Sequence, residues 1–367
     1  MAKRSKKPAA APRDMDYKTY LQLPTLLDAQ KPISDAHDEM MFVVVHQTYE
    51  LWFKLVLFEL DRVQKIFGGK VVRDADLRTV SASLGRMVAT MKLLVSQLDI
   101  METMTPLDFL DFRHVFRSAS GFQSLQFREL EIRLGLKQGD RVGYDGKSFE
   151  NYLPDADRKR VHDVSAQPSL IDQLDRWLAR TPFVQTGKFN FWAAYRKAVM
   201  EMIATDRAAV AANRKMPADA KKMEIGKLDG MTAQFDKLFQ PAASEDMAWR
   251  LSPQALQAAL FINLYRDQPA LQAPFKILSD LMDIDELMAL WRYRHALMAQ
   301  RMLGAKMGSG GSTGHDYLAA TAARHRIFRD LFALSTFLIP RSRLPKLPRD
   351  VEEKMNFRYW GKKGDAA

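Results

Sequence analysis

The segment that most constrains the fold is the stretch 38–66, DEMMFVVVHQTYELWFKLVLFELDRVQKI, which contains neither glycine nor proline. As a helix it would carry apolar side chains around most of its circumference, with acids near its start and basic residues towards its end, as the helix dipole favours. The pattern predicts a central helix that is buried on most sides. Its few polar members argue against a membrane span and need partners inside the protein: His46, Gln47, Glu50, Lys54 and Glu59.

The rest of the chain also shows helical periodicity. Thr105, Pro106 and Asp108 carry the signals of a helix start, and Gly135 is expected to end a helix that resumes after an interruption at 118–121. Further helices are expected over 76–101, 189–206, 253–265, about 284–303 and about 316–338, with breaks around Pro217, Pro241 and Pro274 and a long loop over 136–169. No strand alternation, internal repeat or sustained heptad is visible, so the sequence predicts an all-α fold.

Composition narrows the chemistry that such a fold can host. The chain has no cysteine among 367 residues, which excludes disulfides, thiolate nucleophiles and cysteine-ligated metals and leaves histidine, carboxylates, hydroxyls or a cofactor. No apolar run approaches the ~20 residues of a membrane span, and the N-terminus lacks a signal-peptide pattern. We therefore expect a soluble, cytoplasmic protein without a membrane partner.

The formal charge of +11 lies mostly outside the expected globular part. Residues 1–13 contribute +5 and residues 339–367 contribute +4, which leaves only +2 for the body. A nearly balanced body is a poor nucleic-acid platform, so no nucleic-acid partner is expected. We expect a disordered basic tail over 1–13, a single domain over 14–341 and a basic C-terminal tail over 342–367.

A glycine-rich loop, GSGGSTG, lies at 308–314. It matches neither the phosphate-loop pattern nor the dinucleotide fingerprint, and no strand precedes it. Two interpretations remain open on spacing alone. The loop either closes over a ligand with its hydroxyls and backbone amides, or it is a plain connector.

Two of the seven histidines, His46 and His295, lie on apolar helices, where an imidazole needs a partner. Either one alone is more typical of a hydrogen-bonded core residue. Together, in a cysteine-free helical protein rich in methionine and phenylalanine, they are what a haem pocket requires. Arg113 shares a helix face with Phe109 and is either a solvated surface residue or a bidentate anchor for a substrate carboxylate.

Six stretches, in order along the chain, resemble the tryptophan 2,3-dioxygenase family. They are YKTYLQLPTLLDAQ (17–30), HDEMMFVVVHQTYELWFKLVLFELD (37–61), MTPLDFLDFR (104–113), SASGFQSLQFRELE (118–131), WRYRHALMAQRMLGAKMGSGGSTG (291–314) and YLAATAARHRIFRDLFALSTFLIPR (317–341). The resemblance implies a helical-bundle haem-binding fold with an inserted small helical region. It also implies a homotetrameric haem b enzyme that inserts both atoms of dioxygen across the pyrrole double bond of L-tryptophan. The product would be N-formyl-L-kynurenine, in the first step of tryptophan catabolism.

Carried over by position, the resemblance assigns roles to individual residues. His295 would be the proximal iron ligand, and His46 would be the distal histidine that accepts the indole N–H hydrogen bond. Phe42 and Phe109 would pack against the indole, and Arg113 would bind the substrate carboxylate.

The resemblance also extends to groups around the cofactor and the subunit boundary. Ser309 would help bind the substrate ammonium with one haem propionate, Ser120 would lie by the other, and Trp291 is assigned to cofactor binding. Tyr17 and Tyr20, whose spacing by itself favours a staple of the arm onto the body, would reach the neighbouring subunit's pocket as part of an N-terminal segment over 14–35. Residues of about 136–275 would form a loop and a variable helical region.

The sequence departs from the family pattern at several positions. Ser309 stands where the family usually has threonine, and Met40 and Met41 replace the usual His-Leu before Phe42. A related haem oxygenase acting on a modified tryptophan or another indole is therefore the alternative. A second alternative is a non-catalytic haem-binding helical protein.

Overall fold

The computed structural model describes residues 15–116, 121–143, 148–239, 249–304 and 314–357. Within these ranges the chain forms sixteen α-helices and one hairpin, in which Gln185–Thr186 (β1) pairs antiparallel with Phe189–Asn190 (β2). This confirms the all-α prediction. The helices are α1 (Tyr17–Tyr20), α2 (Leu23–Leu27), α3 (His37–Phe67), α4 (Asp74–Ser96), α5 (Leu98–Met101), α6 (Pro106–Arg113), α7 (Leu125–Leu134), α8 (Asp155–Ser165), α9 (Leu170–Leu178), α10 (Phe191–Ala212), α11 (Ala218–Phe239), α12 (Pro253–Leu264), α13 (Pro269–Leu303), α14 (Gly314–Arg324), α15 (Arg329–Ala333) and α16 (Arg349–Met355).

The long helices α3, α4 and α13 form the centre of the fold, with α4 packed against both of the others. Val56, Leu60 and Val63 of α3 are fully buried, as are Leu84 and Met87 of α4. Each such side chain contributes roughly 1.5–3 kcal/mol by leaving water. Helix α3 matches the expected 38–66 within one residue at each end, because its apolar circumference is covered by neighbours on most sides.

Two buried or half-buried carboxylates of α3, Glu50 and Glu59, have partners on neighbouring elements. The Glu50 carboxylate accepts hydrogen bonds from Ser124 Oγ at 2.6 Å and Gln126 Nε2 at 2.8 Å, which fixes the start of α7 against α3. Glu59 pairs with Arg86 of α4. Lys54 is exposed. The polar positions therefore hold neighbouring elements in register on an otherwise apolar helix.

The predicted break at Pro274 is wrong, because α13 runs without interruption through it from Pro269 to Leu303. Proline removes one intrahelical hydrogen bond and costs ~3 kcal/mol in a helix interior. Here it lies in the second turn and is buried in the core, where the packing of α13 on α4 and α14 outweighs that cost.

The single helix expected over about 316–338 is also wrong, because the chain leaves the helix at 325–328 between α14 and α15. The buried Asp285 carboxylate accepts the backbone N–H of Ile327 at 2.9 Å and the Nε–H of Arg326 at 3.0 Å. Arg292 Nη1 donates to the carbonyl of His325 at 3.2 Å. These tertiary bonds use backbone groups that a continuous helix would need.

Two further segments differ from expectation. The loop predicted over 136–169 contains α8, and the C-terminal tail expected over 342–367 contains α16. Val351 and Met355 of α16 are buried in the main core, so apolar side chains at helical spacing anchor this part of the basic tail. Among the described helices, none combines the length and apolar character needed to cross a bilayer.

Candidate functional site

His46 lies on α3 one turn after Phe42, and the two rings contact each other with centroids 4.0 Å apart. The Nδ1 atom of His46 lies 2.7 Å from the carbonyl oxygen of Phe42. Because a carbonyl can only accept, Nδ1 carries the proton and donates it. The Nε2 atom of the neutral ring is therefore left with a lone pair that can accept a hydrogen bond from a ligand.

The pKa of His46 supports this neutral form. Its imidazole has an exposed surface, yet protein atoms on its other sides restrict solvation of the charged ring. Burial lowers the pKa of His46, and the Phe42 carbonyl and the Glu50 charge offset only part of that effect. His46 is thus an uncharged acceptor at neutral pH.

His295 lies on α13 and stacks on Trp291, one turn earlier, with ring centroids 5.3 Å apart and planes 11° apart. Burial lowers the pKa of His295 to about 4, with a further contribution from the charge of His46. No described residue hydrogen-bonds its imidazole. This ring is therefore a neutral nitrogen donor, the form in which histidine binds a metal.

Ring contacts join α3 to α13 close to the two imidazoles: Tyr49, three residues after His46, meets Trp291, four residues before His295, edge-on at 6.0 Å. Neighbouring residues fix this arrangement. Arg294, next to His295, donates to Asp99 at 2.6 Å and to Glu102 at 2.9 Å, which ties α13 to α5 and the turn after it. Two neutral imidazoles from different helices thus lie within about one turn of the same ring contact.

The indole nitrogen of Trp291 is buried and makes no hydrogen bond of normal geometry within the described ranges, although the Tyr49 phenol lies near enough to interact with it. The ring itself packs against Phe127 at 5.2 Å and edge-on against Tyr49 at 6.0 Å. A buried N–H that lacks a well-formed hydrogen bond costs free energy, so the Trp291 N–H can still take a better acceptor. This is the signature expected beside a bound group that carries oxygen acceptors.

A cluster of four phenylalanine rings adjoins His46. Phe42 stacks on Phe116 at 4.7 Å and contacts Phe112 at 5.6 Å and Phe109 at 6.1 Å. The sequence predicted Phe42 and Phe109 for this region but missed Phe112 and Phe116. Their spacing of three and seven from Phe109 was the signal, because it places all three on one face.

Arg113 is the last residue of α6 and is half-buried, one turn after Phe109. The helix is fixed at its start by the predicted cap, in which the Asp108 amide donates to Thr105 Oγ1 at 3.3 Å and the Asp108 carboxylate accepts the Thr105 amide at 3.1 Å. Thr105 as cap is thus confirmed. The capped helix holds Phe109 in the phenylalanine cluster and leaves Arg113 at its edge.

Four other predicted site residues lie either outside the described part of the chain or on the exposed helix α1. Ser120 and Ser309 lie outside the described residues. Tyr17 and Tyr20 lie on α1 and are 75% and 70% exposed, so neither packs into the site of its own chain. The intramolecular staple is therefore not observed.

The segment after α2 lies antiparallel along α3. The Glu39 carboxylate accepts the amides of Ile33 and Ser34, both at 2.8 Å, and Gln47 Nε2 donates to the Ala29 carbonyl at 2.9 Å. Residues 29–34, here called the strap, thus pass beside the helix face that carries Phe42 and His46.

The structure also contains a buried charged cluster that the sequence analysis did not predict. The fully buried Glu131 carboxylate accepts hydrogen bonds from Arg141 at 2.6 Å, Arg292 at 2.7 Å and Arg128 at 3.0 Å. Burial alone would raise the pKa of Glu131, but Arg141, Arg128 and Arg292 together hold it well below its usual range. Its members are far apart in sequence, so local patterns gave no signal for it.

Comparison with known proteins identifies the family of this chain. The family model described as tryptophan 2,3-dioxygenase matches residues 4–338. A tryptophan 2,3-dioxygenase of Bdellovibrio bacteriovorus is 48% identical over 94% of this chain and 98% of its own length. Those of Alteromonas mediterranea and Dictyostelium discoideum are 44% and 39% identical, over 93% and 95% of this chain and 97% and 90% of their own lengths. The chain belongs to the tryptophan 2,3-dioxygenase family.

Proposed function

We propose that this chain is a haem-dependent dioxygenase that inserts both atoms of dioxygen across the pyrrole double bond of L-tryptophan and releases N-formyl-L-kynurenine. The observation that carries the proposal is the pair of neutral imidazoles, His46 on α3 and His295 on α13, beside a cluster of phenylalanine rings. Family membership supports the same activity.

The residues on α13 fit a haem group. His295 is the residue that would bind the iron, because its ring is neutral and no described residue occupies its nitrogens. Trp291 would donate its buried N–H to a haem carboxylate, and the resemblance adds Ser120 on the same edge. When bound, haem supplies the redox chemistry with dioxygen that no side chain of a cysteine-free protein can supply.

His46, on α3 rather than α13, would orient the substrate. Its Nε2 lone pair would accept the indole N–H, and its pKa keeps that lone pair unprotonated at neutral pH. Because Nδ1 is held by the Phe42 carbonyl at 2.7 Å, the ring cannot turn over without losing a hydrogen bond. The tautomer and the direction of the acceptor are thus set before the substrate arrives.

The phenylalanine cluster and Arg113 would select an aromatic amino acid. Phe42 and Phe109 would form the apolar wall for the indole and exclude water from it. Arg113 would bind the carboxylate with its planar fork, and Ser309 would help hold the ammonium group. These groups bind the zwitterion at one end and the ring at the other.

The proposal includes a homotetramer. Tyr17 and Tyr20 project from the body on α1, which supports a role in a neighbouring subunit's pocket. Large apolar side chains also remain exposed along α3 and α13, where a second copy would cover them: Val44, Leu51, Phe58, Leu290, Tyr293 and Leu297. Sedimentation velocity tests this part, with a tetramer expected and a monomer contradicting it.

A cytoplasmic location, without nucleic-acid or membrane partners, is part of the same proposal. The absence of cysteine from the whole sequence and the near-neutral charge of residues 14–338 support it.

The test of the reaction is multiple-turnover formation of N-formylkynurenine from L-tryptophan and dioxygen by the haem-loaded protein. The wild type should form product, whereas His295→Ala should lose both haem and activity. His162→Ala is the matched control, because that imidazole is exposed on α8 and should leave both unchanged. Haem-loaded wild type that oxidises a substituted indole and leaves L-tryptophan intact would favour the alternative substrate instead.

A further inference from the structure

A cavity of about 200 Å³ lies between α7, the segment after it and α14. Its polar lining comprises Arg128, Gln138, Arg141, Ser148, Tyr317 and His325. Neither imidazole of the proposed catalytic site lines it, nor does any ring of the phenylalanine cluster. The cavity is therefore a second polar site, lined by none of the imidazoles or phenylalanine rings assigned to the proposed reaction.

Arg141 is the strongest feature of this cavity. Its side chain is only 6% exposed, and Nη1 donates to Glu131 at 2.6 Å. Nη2 is buried and has no hydrogen-bond partner within the described ranges. The guanidinium is held over the Phe149 ring, 4.7 Å from its centroid, so its free edge has a fixed direction. A charged donor held in this way calls for an acceptor.

The neighbouring groups favour an anionic acceptor. One carboxylate, Glu131, is shared among three guanidiniums. Ser148 Oγ accepts from Gln138 Nε2 at 2.8 Å and from the Glu150 amide at 3.3 Å, which leaves its own O–H to donate to a ligand. The lining thus offers positive charge and hydroxyl donors in a small space.

His325 does not supply a competing charge. Its Nε2 accepts the Val142 amide at 3.0 Å, so the proton is on Nδ1 and the ring is neutral. The acids, cations and phenol that face this ring are Glu131, Arg292, Arg141 and Tyr317. Burial lowers the pKa of His325, and the guanidiniums of Arg292 and Arg141 add to that effect, which together outweigh the Glu131 carboxylate.

We propose that this cavity binds a small oxyanion, a carboxylate or phosphate group, through the Arg141 fork and the Ser148 hydroxyl. The position of the cavity allows two sources of such a group. One is a free anion. The other is a haem carboxylate, because Phe127 contacts both Trp291 at 5.2 Å and the Arg128 guanidinium at 5.7 Å, so only one ring separates the two sites.

The experiment uses the full-length, haem-loaded protein and two readouts. Calorimetric titration with inorganic phosphate, and separately with acetate, measures binding of a free anion. The rate of haem transfer to excess apomyoglobin measures retention of the haem. The variants are Arg141→Gln, Arg141→Lys and Ser148→Ala. Arg160→Gln is the matched control, because Arg160 of α8 pairs with Glu129 on α7, the helix that carries Glu131, but is 57% exposed.

If the source is a free anion, the wild type should bind one equivalent of phosphate or acetate. Arg141→Gln should bind at least tenfold more weakly, and Arg160→Gln should bind as the wild type does. If the source is the haem, free anions should not bind, and Arg141→Gln should lose haem at least tenfold faster than the control. Either pattern supports the site.

The proposal is overturned if the wild type binds no anion and Arg141→Gln retains haem as the wild type does. If Arg141→Gln does not fold, Arg141→Lys and Ser148→Ala are used instead. Each of these should weaken anion binding or haem retention several-fold. No effect in either variant would overturn the proposal equally. Because neither readout involves turnover, failure of the proposed dioxygenase reaction would leave this test intact.

Discussion

Replacement of Glu131 tests the charged cluster most sharply. Glu131→Gln keeps the size of the side chain but removes the charge shared by Arg141, Arg292 and Arg128, at distances of 2.6–3.0 Å. Breaking a buried ion pair from one side costs about 3–5 kcal/mol, because the partner charges stay buried. The three bonds share one carboxylate, so their contributions do not add. We expect the free energy of unfolding to fall by about 4 kcal/mol.

The assay is urea unfolding at fixed protein concentration, since the stability of an oligomer depends on concentration. The matched control is Asp229→Asn, which breaks a pair with Arg207 in which the two side chains are 60% and 41% exposed. That change should alter the free energy of unfolding by less than about 0.5 kcal/mol, as exposed pairs usually do.

The same variant has a pH signature. The pKa of Glu131 is lowered in the folded protein, so its contribution to stability is complete above the ordinary carboxyl pKa of 4.5 and is lost as pH falls through the lowered value. The difference between wild type and Glu131→Gln should therefore shrink in acid. A difference below about 1 kcal/mol at neutral pH, or one that does not change with pH, would refute the reasoning.

Three other substitutions test separate parts of the account. Arg113→Ala should raise KM for L-tryptophan about 10- to 150-fold with little change in kcat, as loss of a charge-assisted bond worth about 1.5–3 kcal/mol implies, and an unchanged KM in steady-state kinetics would remove Arg113 from the site. Phe112→Ala should lower the free energy of unfolding by about 3–5 kcal/mol in urea, because this ring is fully buried, and a loss below 1 kcal/mol would contradict its place in the cluster. Glu39→Gln should speed amide exchange across residues 29–36, because Glu39 holds two strap amides, and unchanged exchange by mass spectrometry would show that the strap is held otherwise.

The sequence predicted those features of the fold that depend on neighbouring residues. Helix α3 follows from an apolar run without a breaker, and the start of α6 follows from Thr105, Pro106 and Asp108, whose cap is present. The end of α7 at Gly135 follows in the same way, because that residue has φ 128°, which favours glycine. Each of these signals acts within a few residues.

The failures share a different physical cause, which is tertiary contact. Pro274 does not break α13 because packing outweighs the lost hydrogen bond. The last predicted helix ends at 324 because Asp285, about forty residues earlier, takes the amide of Ile327. A single sequence contains no local record of either contact, so periodicity alone extends or interrupts helices wrongly at such points.

The candidate site likewise includes residues that the sequence predicted and residues that it did not. Resemblance to the family and the apolar setting pointed to His46, His295, Phe42 and Phe109, and in the structure Phe42 contacts the rings of both His46 and Phe109. The carboxylate shared by Arg128, Arg141 and Arg292 could not be found, since its members come from segments up to about 160 residues apart. Spacing identifies residues that share one helix face. It gives no information about which residues distant segments bury together.

The measurement that tests the central claim most directly is an anaerobic titration of the ferrous, haem-loaded protein with L-tryptophan, followed by its visible spectrum. We expect a Soret band that shifts saturably as the amino acid binds beside His46 and the phenylalanine cluster, and that is lost in His295→Ala. A band that ignores L-tryptophan, or one that His295→Ala retains unchanged, would contradict it.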